Sequence, residues 1–417
     1  MRDNRILFAT RYFLLDDSNG AAVASRALLS CLRRNGFAVE ALCGTLVDAG
    51  QAQDPAEALK DHNLAFESRG AEAWDISMAG VLTRDPSRLA SSFDGVPLTI
   101  DNREPTHSYR PPDDEEIRSF FRLFHDVVAR FQPTVLLTYG GDRLTRTLLS
   151  DARRRGMATV FTLHNFAYGD PNAFANVDVI LVPSQFAADH YRRTLGLECR
   201  VLSNLVETSR ILAPRRDPKY LTFVNPSLEK GVYPFVRIAD ELGRRRPDIP
   251  ILVVESRGSE FTLVNCGVDL RCRGNVFLME RTPDPRDFWE QTRVSILPSL
   301  WWENQPLIAI EALVNGAPVI GSDRGGVPEA LGGSGIILPL PERLTPSTRL
   351  LPTAEEVAEW VNAVIRLWDD GSFYSWHETR ARAESRRWSN EYLDPLYADF
   401  FGGLRPGGAP DRNQGAG

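Results

Sequence analysis

Short apolar runs alternate with helix-length amphipathic stretches along almost the whole chain. In the N-terminal half the runs are Arg5–Ala9, Phe37–Cys43, Pro97–Ile100, Thr134–Thr138, Ala158–Thr162 and Asp178–Val182. Apolar runs of this length with helical patterns between them predict parallel strands covered by helices on both faces. The first helix, about Ala21–Arg34, gathers Val23, Ala27, Leu28, Cys31 and Leu32 on one face and stops at Asn35-Gly36. A second series follows the polar, proline-containing stretch Ala213–Pro218, with strands expected at Tyr220–Val224, Ile251–Val254, Val276–Met279, Val294–Leu297, Pro318–Gly321 and Ile336–Leu338. The repeated pattern predicts an α/β protein of two Rossmann-like domains, at 1–210 and 211–388. The irregular region Leu46–Pro112 reads as an insertion of undefined fold. Near the C-terminus, Ala354–Asp369, His377–Trp388 and Glu391–Phe401 read as helices. Residues 403–417 are mostly Gly, Pro and polar, too poor in apolar groups to order themselves.

A chain of 417 residues, 43% hydrophobic and 25% charged, is globular and too long for one core. Its 48 Lys and Arg against 55 Asp and Glu give a net charge of −7, which argues against a nucleic-acid partner. The five cysteines contain no CxxC pair, and their odd number favours reduced thiols. No apolar run approaches the roughly 18 residues of a membrane span. The start of the chain reads as a first strand and not as a signal peptide. The expected location is cytoplasmic, with a peripheral contact at the inner membrane face left open; oligomeric state is not legible.

The chemistry concentrates in Pro298–Gly316. A strand ends at Pro298-Ser299, the loop Leu300-Trp301-Trp302-Glu303-Asn304-Gln305 follows, and Pro306 opens the apolar helix Leu307–Val314. Proline is favoured at a first helical position, so Pro306 is expected to set the helix start and to leave the amides of Leu307 and Ile308 pointing outward. Those amides and the helix dipole make an anion site at the carboxyl end of a parallel strand, suited to a diphosphate. Glu303 before the helix and Glu311 within it would each hold neutral hydroxyls, of a sugar and of a ribose. The competing reading is a capping glutamate and a solvated one.

The segment Pro298–Leu313 resembles the E-x7-E signature of glycosyltransferase family 4, the retaining enzymes of GT-B fold, and Gly325-Gly326-Val327-Pro328-Glu329 is similar to that family's GG-x-P-E segment. The resemblance implies two Rossmann-like domains facing each other across a cleft, with the last helix, 389–402, crossing back to the first domain. It implies a nucleoside-diphosphate sugar as donor, a hydroxyl-bearing acceptor, and no cofactor or obligatory metal. Glu303 would contact hydroxyls of the transferred sugar, Glu311 the ribose, and Asn304, Gln305, Pro306, Leu307 and Ile308 would line sugar and phosphates. Where many members have Phe-Gly after the first glutamate, this chain has Asn304-Gln305-Pro306, whose side-chain amides are expected to substitute for backbone donors.

Other positions carry the resemblance further. Lys230, in Glu229-Lys230-Gly231, would neutralise the diphosphate; otherwise it is a loop lysine in solvent. The family's arginine five residues earlier is Asn225 here, one cation fewer. His164, at the carboxyl end of Ala158–Thr162, would meet the donor sugar; a lone histidine of this kind is otherwise structural. Gly20, in Asn19-Gly20, matches half of a family Gly-Gly and is equally an ordinary turn with an N-cap. Gly140, Gly141 and Asp142 form a second glycine loop on the acceptor side. The implied reaction is transfer of a hexose-type sugar with retention, the diphosphate leaving before the acceptor hydroxyl attacks from the same face. Lys230 and the helix amides would stabilise the charge that develops. Two rivals stand beside it: an epimerase of the same fold, and a catalytically silent nucleotide-sugar-binding protein, the latter suggested by Asn225.

Overall fold

The computed structural model describes residues 4–47, 54–69, 74–76, 82–84, 87–103, 106–107 and 110–405. The disordered tail expected at 403–417 therefore lies mostly outside the described residues. The chain divides into two compact units: Met1–Pro183, Ala188–Leu202 and Asp394–Gly417 form the first, and Ser184–Ala187 with Ser203–Leu393 form the second.

The first unit is built on a ten-stranded sheet. Its order is Cys199–Val201, Val179–Val182, Ala158–Thr162, Val135–Thr138, Arg5–Tyr12, Ala38–Val47, Val96–Asp101, Arg88–Phe93, Phe66–Arg69, with Thr106–His107 paired on Ala38–Val47. The strands from Cys199–Val201 to Val96–Asp101 pair in parallel, and apart from the edge strand Cys199–Val201 their runs are mostly buried, as a sheet covered on both faces requires. The region that sequence left undefined extends this sheet with antiparallel strands. Its hairpin turns at Asp94-Gly95, both with positive φ (46° and 76°), the geometry that matches strand twist and favours Asp-Gly. The C-terminal helix Asn390–Gly403 has its end tied to the first strand, where the Asn4 side-chain amide donates to the carbonyls of Phe401 (2.6 Å) and Leu404 (3.2 Å).

The second unit holds a six-stranded, all-parallel sheet in the order Val276–Met279, Ile251–Val254, Tyr220–Val224, Thr292–Leu297, Val319–Ser322, Ile336–Leu338. Leu221, Phe223, Val253, Val294 and Ile296 are buried beneath helices Val232–Arg245 and Ala358–Asp369, with Phe223 stacked on Phe235 at 4.1 Å. Leu252, Val254, Leu297 and Val319 pack on the opposite side with Ala309, Ala312 and Leu313 of helix Leu307–Val314. The winding reverses between Tyr220–Val224 and Thr292–Leu297. Loops leaving the carboxyl ends of those two strands diverge to opposite faces and open a crevice, the usual ligand position in a doubly wound sheet.

Candidate functional site

The two diverging loops carry the predicted residues Lys230 and Glu303, and main-chain bonds lock the loops together. The carbonyl of Glu229 accepts from the amides of Leu300 (2.9 Å) and Trp301 (3.0 Å). Gly231, at φ 80°, caps helix Val232–Arg245, and a Cβ there would lie 1.8 Å from the Pro298 carbonyl oxygen. Only glycine allows this approach, and the approach places the neighbouring Lys230 over the second loop. Its Nζ donates to Glu303 Oε1 at 2.6 Å, and Ser299 Oγ donates to the same oxygen at 2.8 Å. The glutamate side chain is 8% exposed and the lysine 30%, so the pair is substantially desolvated. With both bonds on Oε1, Oε2 is the oxygen available to a ligand hydroxyl.

Helix Leu307–Val314 has the expected bounds, but Pro306 stands just outside it. Pro306 has ψ 100° and is the N-cap residue, not the first helical one, and its carbonyl accepts from Ala309 at 3.0 Å. Proline brings no capping side chain, so the orphan amides of this first turn depend on something outside the helix. Asn304 and Gln305, the expected replacements for backbone donors, are both buried and used structurally through their oxygens. Asn304 Oδ1 accepts from Ser184 Oγ (3.1 Å), and Gln305 Oε1 accepts from the Asn204 amide (2.7 Å). Gln305 Nε2 is buried without a hydrogen-bond partner.

Glu311 is not the solvated helix glutamate of the competing reading. It is half-buried, its Oε2 accepts from Trp289 Nε1 at 3.0 Å, and burial pushes its carboxyl up to about 7 against that single favourable bond. A carboxylate so poorly solvated gains from a diol that brings two hydroxyl donors. Asn225, the position of the missing arginine, sits in the left-handed region at φ 64°, which asparagine tolerates better than arginine, and its Oδ1 accepts from the Gly258 amide at 2.9 Å. Its side chain thus closes a turn between two strand ends.

In the first unit, His164 lies just beyond strand Ala158–Thr162, edge-on to Tyr139 at 5.3 Å. Burial pushes its imidazole down to about 4, so the ring is neutral at pH 7, and Nε2 is buried without a partner. Gly20 begins helix Gly20–Arg34 behind the N-cap Asn19, whose side chain accepts from Ala21 at 2.9 Å; a Cβ on Gly20 would meet nothing within 4 Å. Gly140, at φ 118°, is required where Tyr12 and Thr145 press close, and a Cβ on Gly141 would lie 3.1 Å from the Tyr168 ring. Asp142 caps helix Arg143–Arg154 through Thr145, at 2.8 Å to its amide. These three residues have sufficient structural reasons to be where they are.

Residues 218–370 match the family model described as "Glycosyl transferases group 1". The matched segment is similar to that family and covers 153 of the 417 residues. The match lies within the second unit and contains the Lys230–Glu303 pair and Glu311. No curated protein matches in sequence. Among solved structures, Anabaena HepE in complex with UDP-glucose is 12% identical, with a TM-score of 0.65 over 96% of this chain and 100% of that one. The sucrose-phosphate synthase of Thermosynechococcus elongatus is 16% identical, with a TM-score of 0.63 over 95% and 97%. The pneumococcal O-GlcNAc transferase GtfA in complex with UDP and GlcNAc is 11% identical, with a TM-score of 0.64 over 96% and 99%. At such identities the likeness speaks for the fold, which is GT-B.

Within the second unit, several residues that position the site received no individual role from sequence. A Cβ on Gly325 would lie 2.4 Å from the Glu303 carbonyl oxygen and one on Gly326 would lie 2.2 Å from that of Asn304, while the Gly326 amide donates to Glu303 at 2.6 Å. The glycine pair is thus the bed on which the Glu303 loop lies. Glu329 accepts from the amides of Gln185 (2.8 Å) and Phe186 (3.0 Å), capping helix Gln185–Leu195. The Gly-Gly and Glu of this segment were visible as a motif, but such contacts between distant parts of the chain leave no periodic trace. Among the described residues no three His, Cys, Asp or Glu are grouped to hold a metal, and no helix is long and apolar enough to cross a membrane.

Proposed function

We propose that this chain transfers a hexose-type sugar from a nucleoside-diphosphate donor to an acceptor hydroxyl with retention at the anomeric carbon. The observation that carries the reading is the Lys230–Glu303 pair at the sheet's crevice, set ahead of a helix whose first amides lack an internal cap and whose interior holds the strained carboxyl of Glu311. In this reading the diphosphate takes the helix start and draws Lys230 toward it, Glu303 turns to a sugar hydroxyl, and Glu311 accepts the ribose diol. Bond breaking at the anomeric carbon moves negative charge onto the diphosphate, where Lys230 and the amides of Leu307 and Ile308 stabilise it more than they stabilise the ground state. The leaving phosphate accepts the acceptor's proton. His164, neutral and with a free Nε2, is assigned to a hydroxyl of the donor sugar.

UDP-glucose and UDP with GlcNAc accompany two of the fold's neighbours, which supports a nucleotide sugar as donor. The positive charge that a metal would bring is supplied in this reading by Lys230 and the helix, so chelation with EDTA is expected to leave the rate unchanged. The deciding experiment incubates the protein with UDP-, GDP-, ADP- and dTDP-glucose, with and without a panel of saccharide acceptors, and follows the anomeric protons by NMR. An α-linked product from an α-linked donor, formed only with acceptor, is expected. Interconversion of the sugar without acceptor points instead to an epimerase, and binding without turnover to a silent binding protein.

A further inference from the structure

Trp301 and Trp302 stand immediately before Glu303, and they differ from the tryptophans of the core. Trp289, Trp360 and Trp388 are buried, whereas Trp301 is 37% and Trp302 47% exposed. Exposed indoles on a wandering loop would signify little. This loop is fixed on two sides, by the Glu229 carbonyl beneath Leu300 and Trp301 and by the Gly326 amide beneath Glu303. Trp302 is further braced edge-on by Phe186 at 6.1 Å, and the backbone carrying Phe186 is itself held by the Glu329 carboxylate. Ordering such rings has already been met by the fold, so a ligand that stacks on them loses little further entropy.

Which ligand is decided by what surrounds the rings. The flat apolar faces of indoles match the C–H faces of pyranose rings, and a neighbouring carboxylate accepts the outward hydroxyls; this pairing of an aromatic face with polar acceptors is the chemistry of saccharide recognition. An anionic membrane surface is the other partner that exposed tryptophans serve. Here the net charge is −7, and the nearby cation Lys230 is already paired with Glu303, so the loop offers no basic cluster to anionic headgroups. We propose that Trp301 and Trp302 form a platform for the acceptor and that the acceptor is therefore a saccharide. The inference rests on the transfer reading in one respect: the donor sugar is already met by Glu303, which leaves the exposed indoles to the second sugar.

The test measures binding of maltotriose, cellotriose and chitotriose, each up to 10 mM, by saturation-transfer NMR and calorimetry. It compares wild-type protein with Trp301→Ala/Trp302→Ala and with the aromatic-preserving Trp301→Phe/Trp302→Phe. UDP, GDP, ADP and dTDP are titrated in parallel. At least one trisaccharide is expected to bind wild type, to weaken about tenfold or more in the alanine variant, as loss of an aromatic stack implies, and to be largely restored in the phenylalanine variant, with nucleotide affinity unchanged. Failure of all three trisaccharides to bind wild type overturns the proposal. So does loss of nucleotide affinity in the alanine variant, which would place the indoles in the donor site. So does indole-dependent sedimentation with phosphatidylethanolamine–phosphatidylglycerol vesicles while saccharide binding persists in the variant. Trisaccharide binding through the indoles with no nucleotide bound by wild type would sink the transfer reading and leave the platform standing.

Discussion

Replacing Glu311 with Gln separates what the fold prefers from what the site requires. Burial raises the Glu311 carboxyl from 4.5 to about 7, with the Trp289 indole as its one compensating donor. The group therefore binds a proton more tightly in the folded chain than in the unfolded one. Its contribution to stability is fully present below pH 4.5 and is lost as pH rises through 7, where the folded protein must hold a poorly solvated charge. At about 1.4 kcal/mol for each factor of ten, the rise corresponds to about 3 kcal/mol, an upper bound because the side chain is only half-buried. Glutamine keeps the shape and an oxygen for Trp289 without the charge. Glu311→Gln is thus expected to match wild type in thermal stability near pH 4.5 and to exceed it at pH 8 by about 1–3 kcal/mol. The same change should weaken nucleotide-sugar binding about tenfold or more, since a neutral amide accepts hydroxyls less strongly than a carboxylate. Melting curves of both proteins from pH 4.5 to 8, repeated with the tightest-binding nucleotide sugar, provide the check. A variant no more stable than wild type at pH 8, with a stability difference that does not change with pH, would refute the reasoning.

Other perturbations act on the parts that hold the site. Gly231→Ala forces a Cβ onto the Pro298 carbonyl at positive φ and should destabilise by about 2–4 kcal/mol in urea unfolding. Lys230→Ala leaves the buried Glu303 carboxylate without its cation and should cost about 1–3 kcal/mol, a loss that adding Glu303→Gln largely removes; a double-mutant cycle of melting temperatures measures the coupling. Glu329→Ala exposes the amides of Gln185 and Phe186 and should cost about 0.5–2 kcal/mol, read as faster hydrogen exchange at the start of helix Gln185–Leu195.

Much of this molecule is legible from its periodicity. The six strands of the second unit and the helix start near Pro306 follow from apolar runs and proline chemistry, because those signals are local. The antiparallel extension of the first sheet escaped, although the Asp94-Gly95 pair marks its hairpin, because its strands are short and half-exposed and so lack the buried apolar run. The candidate site was legible as residue types and spacing. What sequence did not reveal was that Lys230 would be spent on Glu303, that Asn304 and Gln305 would be tied to Ser184 and Asn204, and that Glu311 would be poorly solvated. Each depends on a partner far along the chain, and such pairings are set by packing. Asn225 illustrates the converse: read as an absent cation, it is a residue whose left-handed turn arginine would adopt less readily.

The central claim, that Lys230 and Glu303 act on a nucleotide sugar, is tested most directly by the initial rate of nucleoside-diphosphate release from the preferred donor in the presence of its saccharide acceptor. Wild type, Lys230→Ala and Glu303→Gln are compared at saturating donor. The account predicts that each substitution lowers kcat by about a hundredfold or more, the scale expected when a group that stabilises developing charge or fixes the reacting sugar is removed. Rates in both variants equal to wild type would contradict it.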